Sequence, residues 1–131
     1  MTPNAYATLA IYSKHFKSDE VTALLEISPT RVGEKGRVFS WLLSTIEVLQ
    51  SNRIEDHASE ILKIFDPRRE SLRKLALEGC EIRLWLYFGL DQPNRAFVVS
   101  PELIEFLGSL QADICIDVWS RGEENKGDGG N

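Results

Sequence analysis

The residues this sequence is short of narrow the field first. It has only 2 cysteines and 2 histidines in 131 residues, and Cys80 and Cys115 each sit inside an apolar, strand-like run. Disulfide-stapled domains and clustered metal sites use more of both residue types. The cysteines therefore read as reduced, buried side chains, and no metal site is expected. Long apolar runs are missing too, since nothing approaches the ~20 residues of a membrane-crossing helix. The opening Met1-Thr-Pro-Asn-Ala-Tyr6 lacks the basic-then-apolar layout of a secretion signal, so no membrane partner and a cytoplasmic location are the expectations. Basic side chains are outnumbered, 15 against 20 acidic ones, for a net charge of -5. A field of that sign repels polyanions and disfavours nucleic acid as a partner. No phosphate-binding Walker loop, and no serine or cysteine beside a histidine, can be found. The balance is against an enzyme, and no cofactor is expected.

What is present is a patterned chain. The hydrophobic share of 43% and charged share of 27% are those of an ordinary globular domain, and the length suits one core. Residues 6–12 alternate Ala7, Leu9 and Ile11 against Tyr6, Thr8, Ala10 and Tyr12, the two-residue period of a strand. Ser18 reads as the cap of a short helix carrying Val21, Leu24 and Leu25, which ends before Pro29. Residues 28–37 contain Pro29, Gly33 and Gly36 without an apolar pattern and read as a loop. Residues 38–48 are strand-prone, but both alternating sets hold apolar residues, so the register is open.

Ile54, Ala58, Ile61, Leu62 and Phe65 form one helical stripe. Asp66-Pro67 is a cap-and-proline signature that starts a second helix running to Gly79, giving a kinked pair. The plainest strand is 80–88, with Cys80, Ile82, Leu84, Leu86 and Phe88 opposite in phase to Glu81, Arg83, Trp85 and Tyr87. Gly89, Asp91, Pro93 and Asn94 mark a turn, and residues 96–99 suit a short returning strand. Ser100-Pro101 repeats the cap signature ahead of Leu103, Phe106, Leu107 and Leu110. A last strand then alternates Ile114, Ile116 and Val118 with Asp113, Cys115, Asp117 and Trp119. Residues 1–120 are thus expected to form a single α+β domain. It would be a two-layer sandwich of the ferredoxin-like type, with a mixed sheet of about five strands and helices on one face. Residues 121–131, polar and glycine-rich, read as a flexible tail.

Strand parity then picks out a surface. If the aliphatic sets face the helices, Tyr6, Tyr12, Trp85, Tyr87 and Trp119 face away together with Arg83 and Asp117, and Trp41 joins them in one of its two registers. Aromatic rings beside an arginine have the composition of a protein-binding hot spot. The plainer reading is a second small core under the helical pair or the tail. Single-stranded RNA readers also carry aromatics on an open sheet, but Glu47, Glu81, Asp113 and Asp117 would crowd that side with negative charge.

Three other features stand against blander readings. Arg31, Lys35 and Arg37 surround two glycines and could hold an anion, although a solvated turn is the simpler account. His57 shares a helix side with Glu60 alone, too few ligands for a metal, and reads as a histidine packed at the core edge. Arg68, Arg69, Arg73 and Lys74 form a basic run, which is most often a solvated face.

Tyr6-Ala-Thr-Leu-Ala10, the pair Pro29-Thr30 followed by Gly33 and Gly36, Trp41, and Asp113-Ile-Cys-Ile-Asp117 together resemble a bacterial family of small proteins, domain of unknown function 4279. The resemblance covers nearly everything before the tail. It implies the α+β fold and makes Pro29, Thr30 and Trp41 hallmark positions, and it brings no activity. Comparable bacterial domains serve as toxin-neutralising immunity proteins, an analogy that supplies one form of partner. The expected role is a non-enzymatic interaction module that docks a protein, or a second copy of itself, through Trp41, Arg83, Trp85, Tyr87, Asp117 and Trp119. The alternative is a small-anion binder or enzyme built on Arg31, Lys35 and Arg37.

Overall fold

The computed structural model of the protein describes residues 4–90 and 96–120, apart from the side chains of Leu90, Trp119 and Ser120. The tail assigned to 121–131 and most of the turn assigned to 89–94 lie outside the described residues. Among those described, no helix is long and apolar enough to cross a membrane.

Strand β1 (Ala5–Ser13) is the middle of a five-stranded sheet. Its period of two sends Ala7, Leu9 and Ile11 to one side, where all are buried. Helix α1 (Ser18–Leu25) follows. Its cap is Lys17, not Ser18: the Lys17 amide donates to Glu20 Oε1 at 2.9 Å, and the Ser18 hydroxyl donates across to the Ser40 carbonyl at 3.3 Å. The helix stops at Glu26, whose left-handed φ of 57° lets its amide close on the Thr22 carbonyl.

The expected loop at 28–37 is in fact a hairpin arm. Strand β2 (Arg31–Lys35) pairs antiparallel with β3 (Val38–Ser44) around a two-residue turn. Gly36, at φ 64°, supplies the positive dihedral that such a turn demands. Every β2 side chain is exposed, which is why no apolar pattern marks the strand. Thr30 fastens the arm, its hydroxyl accepting from the Ser44 amide at 2.8 Å. Strand β3 is also shorter than expected. The chain leaves the sheet at Thr45, whose carbonyl accepts from Val48 and Leu49.

The helical pair is present. Helix α2 (Ile54–Phe65), a 3-10 turn (Asp66–Arg68) and helix α3 (Arg69–Leu77) run in succession, broken at Pro67. Two of the four cations of the basic run are tied to the fold, while Arg73 and Lys74 are exposed. Arg68 donates to the carbonyls of Leu25 and Ile64 at 2.8 and 2.7 Å, a cation set on the C-terminal ends of α1 and α2. Arg69 bridges Asp66 and Glu105 and lies 5.3 Å from the Phe106 ring.

Strand β4 (Glu81–Leu90) pairs antiparallel with β1 and parallel with β5 (Asp113–Ser120), and helix α4 (Pro101–Ser109) makes the crossover that a parallel pair requires. Ser100 caps α4 by accepting from the Leu103 amide at 3.2 Å, as its sequence foretold. Residues 96–100 form no strand; instead Phe97 meets Phe88 edge-on at 4.9 Å and covers the end of the core. The final order is β2-β3-β1-β4-β5. This gives the expected α+β fold with a five-stranded mixed sheet. The sheet residues of the main core cluster lie on its helix side, among them Leu9, Ile11, Trp41, Leu43, Ile82, Leu84 and Leu86.

Candidate functional site

The helix-free side of the sheet is assembled by register. Tyr6 pairs with Tyr87, Thr8 with Trp85, Ala10 with Arg83, and on the far side Tyr87 with Asp117 and Trp85 with Cys115. Cross-strand partners share a face, so the rings of β1 and β4 form one ladder with the acids of β5 beside it. The small residues Thr8 and Ala10 lie beneath and are buried. Tyr6, Tyr12, Arg83, Trp85 and Tyr87 are half-buried, and Asp117 is exposed.

The ladder is held in place by its own contacts. Tyr6 and Tyr87 stack with centroids 4.5 Å apart and planes 20° apart, and Tyr87 continues to Trp85 at 6.0 Å and 15°. The Trp85 indole donates to the Tyr12 hydroxyl at 3.1 Å. Arg83 lies 5.5 Å from the Trp85 ring and 5.8 Å from that of Tyr12, within cation-π range, and meets Asp113 at 3.4 Å. Partial burial raises the Tyr87 hydroxyl above its usual pKa, and neighbouring Tyr6 and Asp117 add to this. Tyr6 is raised for the same first reason, then by Asp117, with Arg31 working against both. The phenols stay neutral donors.

Of the residues expected here, Arg83, Trp85, Tyr87 and Asp117 are brought together. Trp41 is not. It pairs with Ile11 and so shares the helix side, where it is 1% exposed. Its indole donates to Thr22 Oγ1 at 3.0 Å and its ring meets Phe65 edge-on at 6.2 Å. The register left open by the sequence resolves toward the core, and this hallmark tryptophan is a packing residue. Trp119 pairs with Gly89 in the ladder, and its side chain lies outside the described residues. Cys80 is buried as expected, while Cys115 is only half-buried and stands on the helix-free side.

The cations of the alternative reading do not form a cradle. Arg31 and Lys35 stand on a strand, their Cα atoms about 13 Å apart at strand rise, with the backbone between them paired to β3. Gly33 serves close packing: a Cβ there would stand 2.9 Å from Ser40 Oγ. No group of three potential metal ligands occurs among the described residues.

One polar group at the core was missed in its detail. His57 is 1% exposed, with Nε2 2.8 Å from the Ser51 carbonyl and Nδ1 2.6 Å from Thr45 Oγ1. A carbonyl only accepts, so Nε2 carries a proton toward Ser51, while Nδ1 and the Thr45 hydroxyl share the second hydrogen bond. The same hydroxyl accepts from the Ala7 amide at 3.0 Å. This network ties the end of β3 to β1 and α2. It is fully satisfied and structural, in keeping with a histidine at the core edge, and Thr45 is the partner that sequence spacing could not supply.

Comparison with known proteins adds the family. No curated protein matches this chain, and no solved structure matches it. The family described as Domain of unknown function (DUF4279) matches residues 3–121. That span takes in every strand and helix described above, and the chain belongs to this family.

Proposed function

We propose that the chain is a protein-binding module whose recognition surface is the helix-free side of its sheet, centred on Tyr6, Trp85 and Tyr87 and bordered by Arg83 and Asp117. The observation that carries this reading is the stacked ladder itself. Rings of this size are ordinarily buried, and here they lie half-buried on a face against which no described helix packs. Stacking and the Trp85–Tyr12 hydrogen bond fix the side chains before any partner arrives, so little rotamer entropy is lost on docking. Arg83 and Asp117 add charges of both signs at the border, where they select among partners more than they add affinity.

An immunity-type role, in which the partner is a toxin, is one form of this reading and rests on analogy alone. Catalysis finds no support in the ladder, where no nucleophile is paired with a base. The test uses the full chain as bait. Proteins captured by the wild type are compared with those captured by Trp85→Ala, Tyr87→Ala and, as a control on the helix layer, Lys74→Ala, an exposed residue of α3. Loss of a specific partner with the first two and retention with the third supports the reading. A partner held equally by all four baits refutes it.

A further inference from the structure

The two outer strands of the sheet carry a second surface, at the edges and away from the rings of the aromatic face. Strands β2 and β5 end the order, and among the described residues neither has a strand on its outer side. An unpaired edge offers backbone groups to another chain unless its residues discourage pairing. These two edges discourage themselves and fit each other.

The outward backbone groups can be assigned. The two-residue turn makes Lys35 and Val38 a hydrogen-bonded pair, so Arg31, Gly33 and Lys35 bond toward β3 while Val32 and Glu34 point outward. Within an L-chain strand of given sense, side-chain face and bonding direction are tied together. The alternation therefore carries across the sheet. Two ladder contacts agree with it: Thr45 donates to the Ala7 carbonyl at 2.9 Å, and Gly89 to that of Asn4 at 2.8 Å. On β5, which runs with β4, Asp113, Cys115 and Asp117 bond inward, leaving Ile114 and Ile116 with outward groups.

We infer that copies of this chain join edge to edge, β5 of one on β2 of the next, continuing the sheet head to tail. The strand senses make that junction antiparallel. Matching outward groups allows Ile116 to face Val32 and Ile114 to face Glu34. In that register Asp117 faces Arg31 and Asp113 faces Lys35, both pairs on the helix-free side, with Cys115 opposite Gly33. Opposite charges directly across a ladder are favourable. Val32 and Ile116, 51% and 48% exposed in the single chain, cover each other on the helix side. Ile114 with Glu34 is the one mismatched pair.

Symmetric junctions fare worse. A β5–β5 pairing centred on Cys115 sets Asp113 against Asp117 twice, and a β2–β2 pairing centred on Gly33 sets Arg31 against Lys35 twice. Like charges opposite one another destabilise a ladder. The occupant of each edge that the charges favour is thus the other edge of a second copy, and such a head-to-tail contact does not close at two. The rings of the aromatic ladder stay free in this arrangement; Asp117 is shared by the two surfaces, and the ring variants Trp85→Ala and Tyr87→Ala test the docking face without touching the edge.

Sedimentation velocity across a concentration series tests it. The single chain weighs 14.8 kDa, and the wild type should show a mass that climbs with concentration past the dimer and falls back with added salt. The double variant Asp113→Lys/Asp117→Arg should sediment as single chains, its association weakened about tenfold or more. Arg31→Asp/Lys35→Asp should do the same. An equimolar mixture should associate again, because the altered β5 edge of one variant then meets the altered β2 edge of the other with the charges exchanged, and their two unaltered edges match as in the wild type. Circular dichroism confirms that each variant is folded, and if one is not, the wild type's salt series decides. A wild type that stays at single-chain mass up to about millimolar concentration, a salt-insensitive mass, a dimer that stops at two, or association that persists in either variant alone would overturn the inference.

Discussion

Trp41 and Trp85 stand on opposite sides of the same sheet, and the contrast between them explains most of the molecule. Each indole donates one hydrogen bond, Trp41 to Thr22 and Trp85 to Tyr12. Each also touches another aromatic ring. Trp41 is nevertheless sealed beneath the helix layer with Phe65, while Trp85 is half-buried beside Tyr12, Arg83 and Tyr87, which each carry a polar end. Residue type does not separate them. Strand parity does, since Trp41 pairs with Ile11 and Trp85 with Thr8. The helix side is closed by aliphatic shape, whereas the other side holds rings with polar handles, the composition that suits a surface meeting water or a partner in turn.

The largest expected effect breaks the comparison directly. Trp41→Ala should cost about 3–5 kcal/mol in urea unfolding, the usual range for emptying a large aromatic site in a core. Trp85→Ala should cost only about 1 kcal/mol. Equal losses would mean that the helix-free side is a core as well.

Next is the polar link at the helix side. Thr45→Val leaves the Ala7 amide and His57 Nδ1 without the hydroxyl that serves both. It should cost about 2–3 kcal/mol, because buried donors and acceptors are lost with no replacement. Thr45→Ser keeps the hydroxyl and should cost about 1 kcal/mol, for the methyl group. Thermal unfolding of the pair separates the network from simple packing.

How far the sequence reached can be judged from the same residues. Strand 80–88 was legible because one of its alternating sets is uniformly aliphatic and the other is not, so parity had a single solution. The same logic failed at residues 38–48, where Val38, Trp41, Leu42, Leu43 and Ile46 fall in both phases. The phase is set by pairing with β1 and by the exit at Thr45, where the bond to Ala7 joins residues 38 apart in the chain. Strand β2 was unreadable for a different reason. An edge strand with neither face buried has no apolar set to display, and Arg31-Val-Gly-Glu-Lys35 looks like a loop. Tyr6, Tyr12, Arg83, Trp85, Tyr87 and Asp117 share the side that parity assigned them, whereas Trp41 does not, and the Trp119 side chain lies outside the described residues. The stacking of the ladder and the Trp85–Tyr12 bond depend on register between strands 73 residues apart, beyond any local pattern. Likewise Ile114, Ile116 and Val118 hold the expected parity, yet they are 39%, 48% and 42% exposed. Alternation gives the side of a sheet but not whether a helix reaches over its edge.

Smaller effects sharpen the picture on each side. Glu26 ends α1 in a left-handed conformation that costs a residue with a Cβ about 1 kcal/mol. Glu26→Gly should therefore raise the melting temperature slightly, a gain on the helix side that leaves the aromatic ladder alone. The smallest effect belongs to the ladder. Tyr6 and Tyr87 are held above the ordinary tyrosine value of 10.0, chiefly by burial. The folded state therefore binds these protons more tightly than the unfolded chain does. That contribution is complete below the unfolded value and is lost as pH rises through the higher folded one. Alkaline spectrophotometric titration should show phenolate appearing later in the folded protein than in urea, and Tyr87→Phe should remove part of the delay.

The central claim is that the aromatic side of the sheet is open in solution, and collisional quenching of single tryptophans tests it most directly. The chain has 3 tryptophans. Replacing Trp41 and Trp119 by Phe isolates Trp85, and replacing Trp85 and Trp119 isolates Trp41. With iodide as quencher, emission from Trp85 should fall several times more steeply than emission from Trp41. If Trp85 proves as shielded as Trp41, the face is covered within the chain itself and cannot be the docking surface.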